Sequence, residues 1–168
     1  MALVCLSISL SLHAQTEKGH WLAGGSFEAR IDDINGAFKE VRVGIYPSLG
    51  YFIMNNWAIG ATTTLTVSKS TSNPSVAYNL GGGIFSRYYF CKGNIKPFVT
   101  AGIRTSSTLN TDNNSTFINY YGGAGLAIFL NKNISLDIQA QYRELRYINK
   151  NYGKSWGVVI PVGFQILF

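Results

Sequence analysis

From Trp156 to Phe168 every second residue is large and apolar: Trp156, Val158, Ile160, Val162, Phe164, Ile166 and Phe168. A β-strand projects successive side chains to opposite faces, so all seven of these groups share one side. The other side carries Gly157, Val159, Pro161, Gly163, Gln165 and Leu167, which are smaller and more mixed. A strand this long with one fully apolar face is rare in water. It is ordinary where that face meets lipid.

The composition is consistent with such a surrounding. Charged residues are 13% of the chain, about half the usual share, against 18 glycines, 10 tyrosines and 10 phenylalanines. Yet no internal stretch reaches the roughly 18 consecutive apolar residues of a membrane-spanning helix. Apolar residues are dispersed in alternation instead, which excludes a helical membrane protein and points to strands. Residues 1–14, MALVCLSISLSLHA, differ: they form a short continuous apolar segment ending in the small Ala14. This reads as a secretory signal peptide cut between Ala14 and Gln15, although Leu12 is bulky for its place before the cut. Residues 15–168 then form one mature domain. After the cut Cys91 is the only cysteine, so neither a disulfide framework nor a cysteine metal site is expected. The formal charge of +6 is spread thinly without a basic run, and nucleic acid is not an expected partner.

Three short polar turns, centred on Asn55, Gly93 and Lys132, recur at spacings of 38 and 39 residues. Each follows an aromatic-rich segment, such as Tyr88-Tyr89-Phe90, and precedes an apolar residue: Trp57, Ile95 or Ile134. A fixed period of this kind marks a repeated unit, here two strands and their connections. Longer connections rich in Asn, Ser, Thr, Asp and Gly lie between, at 32–39, 70–75, 109–115 and 148–153. The pattern gives eight strands, near 20–31, 40–53, 57–69, 76–91, 95–108, 116–130, 134–147 and 154–168. Alternating short turns and long loops with an even strand number predict an all-β, eight-stranded antiparallel up-and-down transmembrane barrel.

Facing follows from the alternation. Ile134, Leu136, Ile138, Ala140 and Tyr142 point one way, while Ser135, Asp137, Gln139, Gln141 and Arg143 point the other. An eight-stranded barrel encloses only enough room for side chains, so the bulky set faces lipid and the polar set faces the lumen. The same phase turns Val41, Val43, Ile45, Leu49, Tyr51 and Ile53 outward, with Trp57, Ile59, Leu65 and Val67. Tyr51, Trp57, Tyr88, Phe90 and Phe168 then form an aromatic girdle near the short turns. Pro47 and Pro161 fall within strands and are expected to mark bulges, or a slip in the register.

On this pattern the chain resembles the small eight-stranded outer-membrane β-barrels of the OmpA and OmpX type found in Gram-negative bacteria. The resemblance covers nearly all of 20–168. It extends to the C-terminal assembly signal of such proteins, matched by Gly163, Ile166 and Phe168, with Pro161 in place of the polar residue. It implies a bacterial outer-membrane location, contact with outer-membrane lipid, and recognition by the barrel assembly machinery during biogenesis. A monomer is expected. One such scaffold serves many roles, so function has to be argued from the residues.

The expected lumen charges are Glu28, Arg30, Arg42, Arg87, Arg104, Asp137 and Arg143. Unpaired charge in so confined a space is costly, so a network is expected, with Arg87 and Asp137 pairing across the barrel. A filled, structural lumen follows from its size. The alternative is a narrow, porin-like path for small solutes or anions, because five arginines outnumber two carboxylates. A more apolar lumen, as in OmpW-type barrels, is disfavoured by the polar face of the seventh strand. Lys39, Lys69, Arg146, Lys150 and Lys154 lie near the external rim, where they could meet lipopolysaccharide phosphates. Catalysis is not expected. His13 lies in the leader and His20 at the start of the first strand, so a Ser-His-acid triad lacks a placed base. Gly81-Gly82-Gly83 and Gly122-Gly123 lie within strands, not before a helix with Gly-Lys-Ser/Thr, so they make room for lumen side chains. No metal or cofactor is expected.

Overall fold

The computed structural model describes residues 16–34, 38–70, 76–109, 115–148 and 154–168, with side chains described except at 31–34, 38–40 and 70. The proposed leader at 1–14 lies outside the described residues, as do the segments 35–37, 71–75, 110–114 and 149–153. The strands are β1 (Trp21–Ile34), β2 (Phe38–Met54), β3 (Trp57–Ser70), β4 (Val76–Tyr89) and β5 (Ile95–Leu109). They continue as β6 (Thr116–Phe129), β7 (Ile134–Tyr147), β8 (Ser155–Val159) and β9 (Val162–Leu167). Neighbours from β1 to β7 pair antiparallel in sequence order, and β9 lies between β7 and β1, closing the sheet.

β8 and β9 are two halves of one strand. Both pair with β7 in a single register, from Leu145↔Ser155 through Gln141↔Val159 to Ile138↔Val162 and Ile134↔Ile166. The architecture is therefore an eight-stranded, antiparallel, up-and-down barrel, with strand limits within a few residues of those read from the sequence. The prolines behave differently from expectation. Pro161 interrupts the ladder because it has no N–H, yet its carbonyl still accepts from Gln139 N–H at 3.3 Å. Pro47 stays in register opposite Gly25, and its carbonyl accepts from Thr62 Oγ1 at 3.0 Å. Each proline drops ladder bonds without inserting a residue. The register shift sits instead at Phe52/Met54, beside the turn where Asn56 takes φ 66°.

The seam between first and last strands is uneven. β9 pairs with β1 from Leu22↔Leu167 to Phe27↔Val162. Beyond that point β8 pairs only with β7 among the described residues. The missing neighbour shows in exposure: Trp156, Val158 and Ile160 are 64–70% exposed, against 43–45% for Val162, Phe164 and Ile166.

Outward faces carry the apolar residues that the alternation assigns there, including Val41, Ile45, Leu49, Ile59, Leu65 and Ile138, all exposed. So continuous an apolar surface is far larger than a soluble monomer presents, and it fits a hydrocarbon surrounding. Strands of 14–17 residues in β1–β7 exceed the roughly 9–11 that cross a bilayer, so they project beyond it. Aromatic residues mark both borders. At the short-turn end Trp21 meets Tyr51 edge-on at 5.1 Å and Tyr88 meets Phe90 at 5.0 Å. At the loop end Tyr142 stacks on Trp156 at 6.2 Å, a second girdle that the sequence reading did not identify.

Candidate functional site in the barrel lumen

The inward residues form three layers along the barrel axis. Nearest the short turns lies an apolar floor of Leu22, Phe52, Ala58, Tyr89, Phe98, Ala127, Phe129 and Leu167, all buried, and buried Phe85 belongs to the same cluster from the loop side of Arg87 on β4. Ring centroids of Phe52 and Tyr89 are 5.9 Å apart, and those of Tyr89 and Phe98 5.7 Å. The floor residues occupy inward positions next to the short turns and the ends of the first and last strands, in antiphase to the outward girdle. In Tyr88-Tyr89-Phe90 the flanking rings face lipid and the middle one fills the lumen. The expectation of a polar lumen is therefore corrected at this end. Glycines provide the room: a Cβ on Gly60 would lie 2.8 Å from Phe85 Cε1, and one on Gly125 2.7 Å from Phe98 Cζ.

The chain before β1 covers this floor from outside. Thr16 is buried, and its Oγ1 donates to Asn56 Oδ1 at 2.6 Å while its carbonyl accepts from Asn56 N–H at 2.6 Å. Lys96, also buried, donates from Nζ to Thr16 Oγ1 at 2.6 Å and lies 5.4 Å from the centre of the Phe129 ring. Lys96 was not among the expected lumen charges. Its parity with Phe98, Thr100 and Arg104 on β5 was the available signal.

Above the floor Arg87 Nη1 pairs with Asp137 Oδ2 across the barrel at 2.5 Å. Ser135 Oγ donates to Asp137 Oδ1 at 2.9 Å, and the Arg87 guanidinium lies 4.4 Å from the Phe98 ring centre. Both charges are buried, and the pair forms a lid on the aromatic floor. A cavity of about 40 Å³ separates this lid from the next layer, bordered by Thr62, Tyr121, Gln139 and Gln165 among others.

The third layer gathers Arg104, Arg143, Glu28, Tyr46, Tyr121 and Gln141. Arg143 Nη1 pairs with Glu28 Oε2 at 2.6 Å, and Arg143 Nε donates to Gln141 Oε1 at 2.6 Å. Arg104 lies 4.2 Å from the Tyr121 ring centre and 4.5 Å from that of Tyr46, between two aromatic faces. Toward the loops this layer opens into a cavity of about 110 Å³, which Arg30 and Arg42 also line. Arg42 is half-buried, whereas Arg30 is exposed at the lumen mouth and not enclosed as the sequence pattern suggested.

The remaining expected residues lie apart from this site. Gly163 is buried opposite Ser26 and Asp137, while Ile166 and Phe168 face outward at the short-turn end. Phe168 exchanges backbone hydrogen bonds with Trp21 at 2.7 and 3.0 Å. Lys69, Arg146 and Lys154 are exposed at the loop end, and Arg146 Nε pairs with Glu144 Oε1 at 2.6 Å. Lys39 belongs to β2 opposite Asp33, but its side chain, like all of Lys150, lies outside the described residues.

The sequence matches the outer membrane protein beta-barrel domain family over residues 1–164, so the chain belongs to that family. Among solved structures it is similar to Neisserial surface protein A, with 20% identity and a TM-score of 0.65 over 90% of this chain and 98% of that one. It is also similar to the N-terminal barrel domain of Pseudomonas aeruginosa OprF, with 15% identity and a TM-score of 0.57 over 90% and 98%. A third likeness is the outer membrane protein OprG of Pseudomonas aeruginosa, with 13% identity and a TM-score of 0.56 over 90% and 97%. At these identities the likeness is one of fold. No curated protein sequence matches the chain. The family places the protein in the bacterial outer membrane, with its outward face in lipid.

Proposed function

We propose that this chain is a non-enzymatic integral outer-membrane barrel with a sealed lumen, acting structurally or in surface interaction through its external loops. The observation that carries the reading is the apolar floor, where Phe52, Tyr89, Phe98 and Leu167 are at most 1% exposed. Buried rings close the lumen at this level, and the one cation among them, Lys96, is tied to Thr16. Export through a leader ending at Ala14, and insertion by the barrel assembly machinery through Gly163, Ile166 and Phe168, complete the reading. The barrel acts as a monomer. Lys39, Lys69, Arg146, Lys150 and Lys154 supply lipopolysaccharide contacts at the rim. The positions of Lys69, Arg146 and Lys154, exposed at the loop end, support this role.

A non-catalytic role is supported by the place of His20, whose Nδ1 lies 3.2 Å from the Glu17 carbonyl at the short-turn edge. Among the described residues no group of three His, Cys, Asp or Glu side chains could hold a metal. The second reading, a narrow anion path, draws on the arginines of the loop-side lumen. It requires the floor to open. Single-channel recording on folded, heat-modifiable protein decides between the two. Absence of steady unitary currents is the expected result, and reproducible small anion-selective currents would overturn it.

A further inference from the structure

We infer that the loop-side lumen is a binding cup for a phosphate-type oxyanion, with Arg104 as its anchoring cation. Arg104 is 6% exposed and, among the described residues, forms no ion pair of its own: Asp137 pairs with Arg87, and Glu28, which borders the same cavity, pairs with Arg143. Among the described residues its one hydrogen bond is a long one, Nη2 to Gln141 Oε1 at 3.4 Å. A guanidinium has five N–H donors, so most of them have no protein partner among the described residues. Tyr46 and Tyr121 cover its faces, which fixes its plane and leaves its edge as the binding surface.

The packing is built around this side chain. Gly83 lies beside it on β4, where a Cβ would come within 2.6 Å of Arg104 Cγ. Room for a ligand lies on the loop side, where Arg104 borders the 110 Å³ cavity with Arg143, Ser106 and Asn119. A single water needs about 10–15 Å³ on a comparable measure, so a multi-atom ion fits. Buried polar groups with unmet partners cost free energy, and a planar guanidinium suits an oxyanion better than any other small ligand.

The anion has two sources. A free ion would enter from the loop end. A lipid headgroup has a lateral approach, because the cavity also borders Trp156 and Gly157, where β8 lacks pairing with β1 among the described residues. The shared chemistry is the phosphate group.

Calorimetric titration of the full folded barrel in non-ionic detergent tests this, using inorganic phosphate and, separately, short-chain phosphatidic acid. Short-chain phosphatidylcholine is the reference. Saturable binding of either phosphate species above the reference is expected. Equal affinities identify the free ion as ligand, and a much tighter phosphatidic acid identifies the headgroup. Arg104→Gln should weaken binding at least about tenfold, the loss of one or more charge-assisted hydrogen bonds. Arg104→Lys, which keeps the charge and loses the fork, should fall between. Lys92→Gln, in an exposed short turn, should bind like the parent. No saturable binding to the parent, or unchanged affinity in folded Arg104→Gln and Arg104→Lys, would overturn the assignment. Binding is read by heat and sealing by current, so either property can fail without the other.

Discussion

On the short-turn side of the Arg87–Asp137 pair the lumen is filled by aromatic rings packed on glycines, with one buried lysine tied to Thr16. On the loop side it is filled by arginines laid against tyrosine faces, with cavities of about 40 and 110 Å³ left among them. Both halves use the same strands and the same inward phase. Only the residue type changes along the axis. The difference teaches where each property resides. Close packing of rings gives the seal and much of the stability, because it needs no partner groups. The charged half is held by pairing and stacking, tolerates space, and is the half that can accept a ligand.

The largest expected effect comes from the boundary between the halves. Asp137→Ala leaves Arg87 buried without a counter-ion, and should cost about 3–5 kcal/mol of unfolding free energy in urea titrations of lipid-reconstituted protein. An Arg87→Met, Asp137→Leu double variant should recover much of that loss. If it does not, the pair is more than a mutual neutraliser. Next comes the floor itself: Phe98→Ala should cost about 3–5 kcal/mol, at the lower end if neighbouring rings collapse into the space. Intermediate effects belong to the glycines. Gly83→Ala places a Cβ against the backbone of Arg104 and should cost about 1–3 kcal/mol. Gly82→Ala faces only Thr62 O at 3.5 Å and should stay within about 0.5 kcal/mol of the parent. Smallest is the rim, where Arg146→Gln removes an exposed, solvent-screened pair with Glu144 and should leave stability essentially unchanged. Its effect should appear instead in weakened lipopolysaccharide binding, measured by co-migration on native gels.

Strand number, facing and the lipid surface were legible in the sequence because period-two alternation leaves little freedom once one face must meet lipid. The arginines and carboxylates of the lumen were legible for the same reason: they share the inward parity of strands whose outward set is plain. What the alternation hid was the change of character along the axis. In Tyr51-Phe52-Ile53 and Tyr88-Tyr89-Phe90 consecutive apolar residues mask the phase, so the sequence does not mark the inward Phe52 and Tyr89 as parts of one apolar layer. Lys96 went unnoticed because its partner, Thr16, lies outside any strand. The seam beside β8 was beyond reach, since pairing with β1 depends on three-dimensional closure rather than on either segment. Pro161 pointed to an interruption there, but not to its form: a lost ladder bond without an inserted residue.

The most direct test of the account is a comparison of bilayer currents from three folded barrels: the parent, Arg104→Gln, and a floor variant carrying Phe52→Ala with Phe98→Ala. The account predicts a silent parent, a silent Arg104→Gln barrel, and steady currents only when the floor is thinned. Conduction by Arg104→Gln with a silent floor variant would place the seal in the charged layer and contradict it.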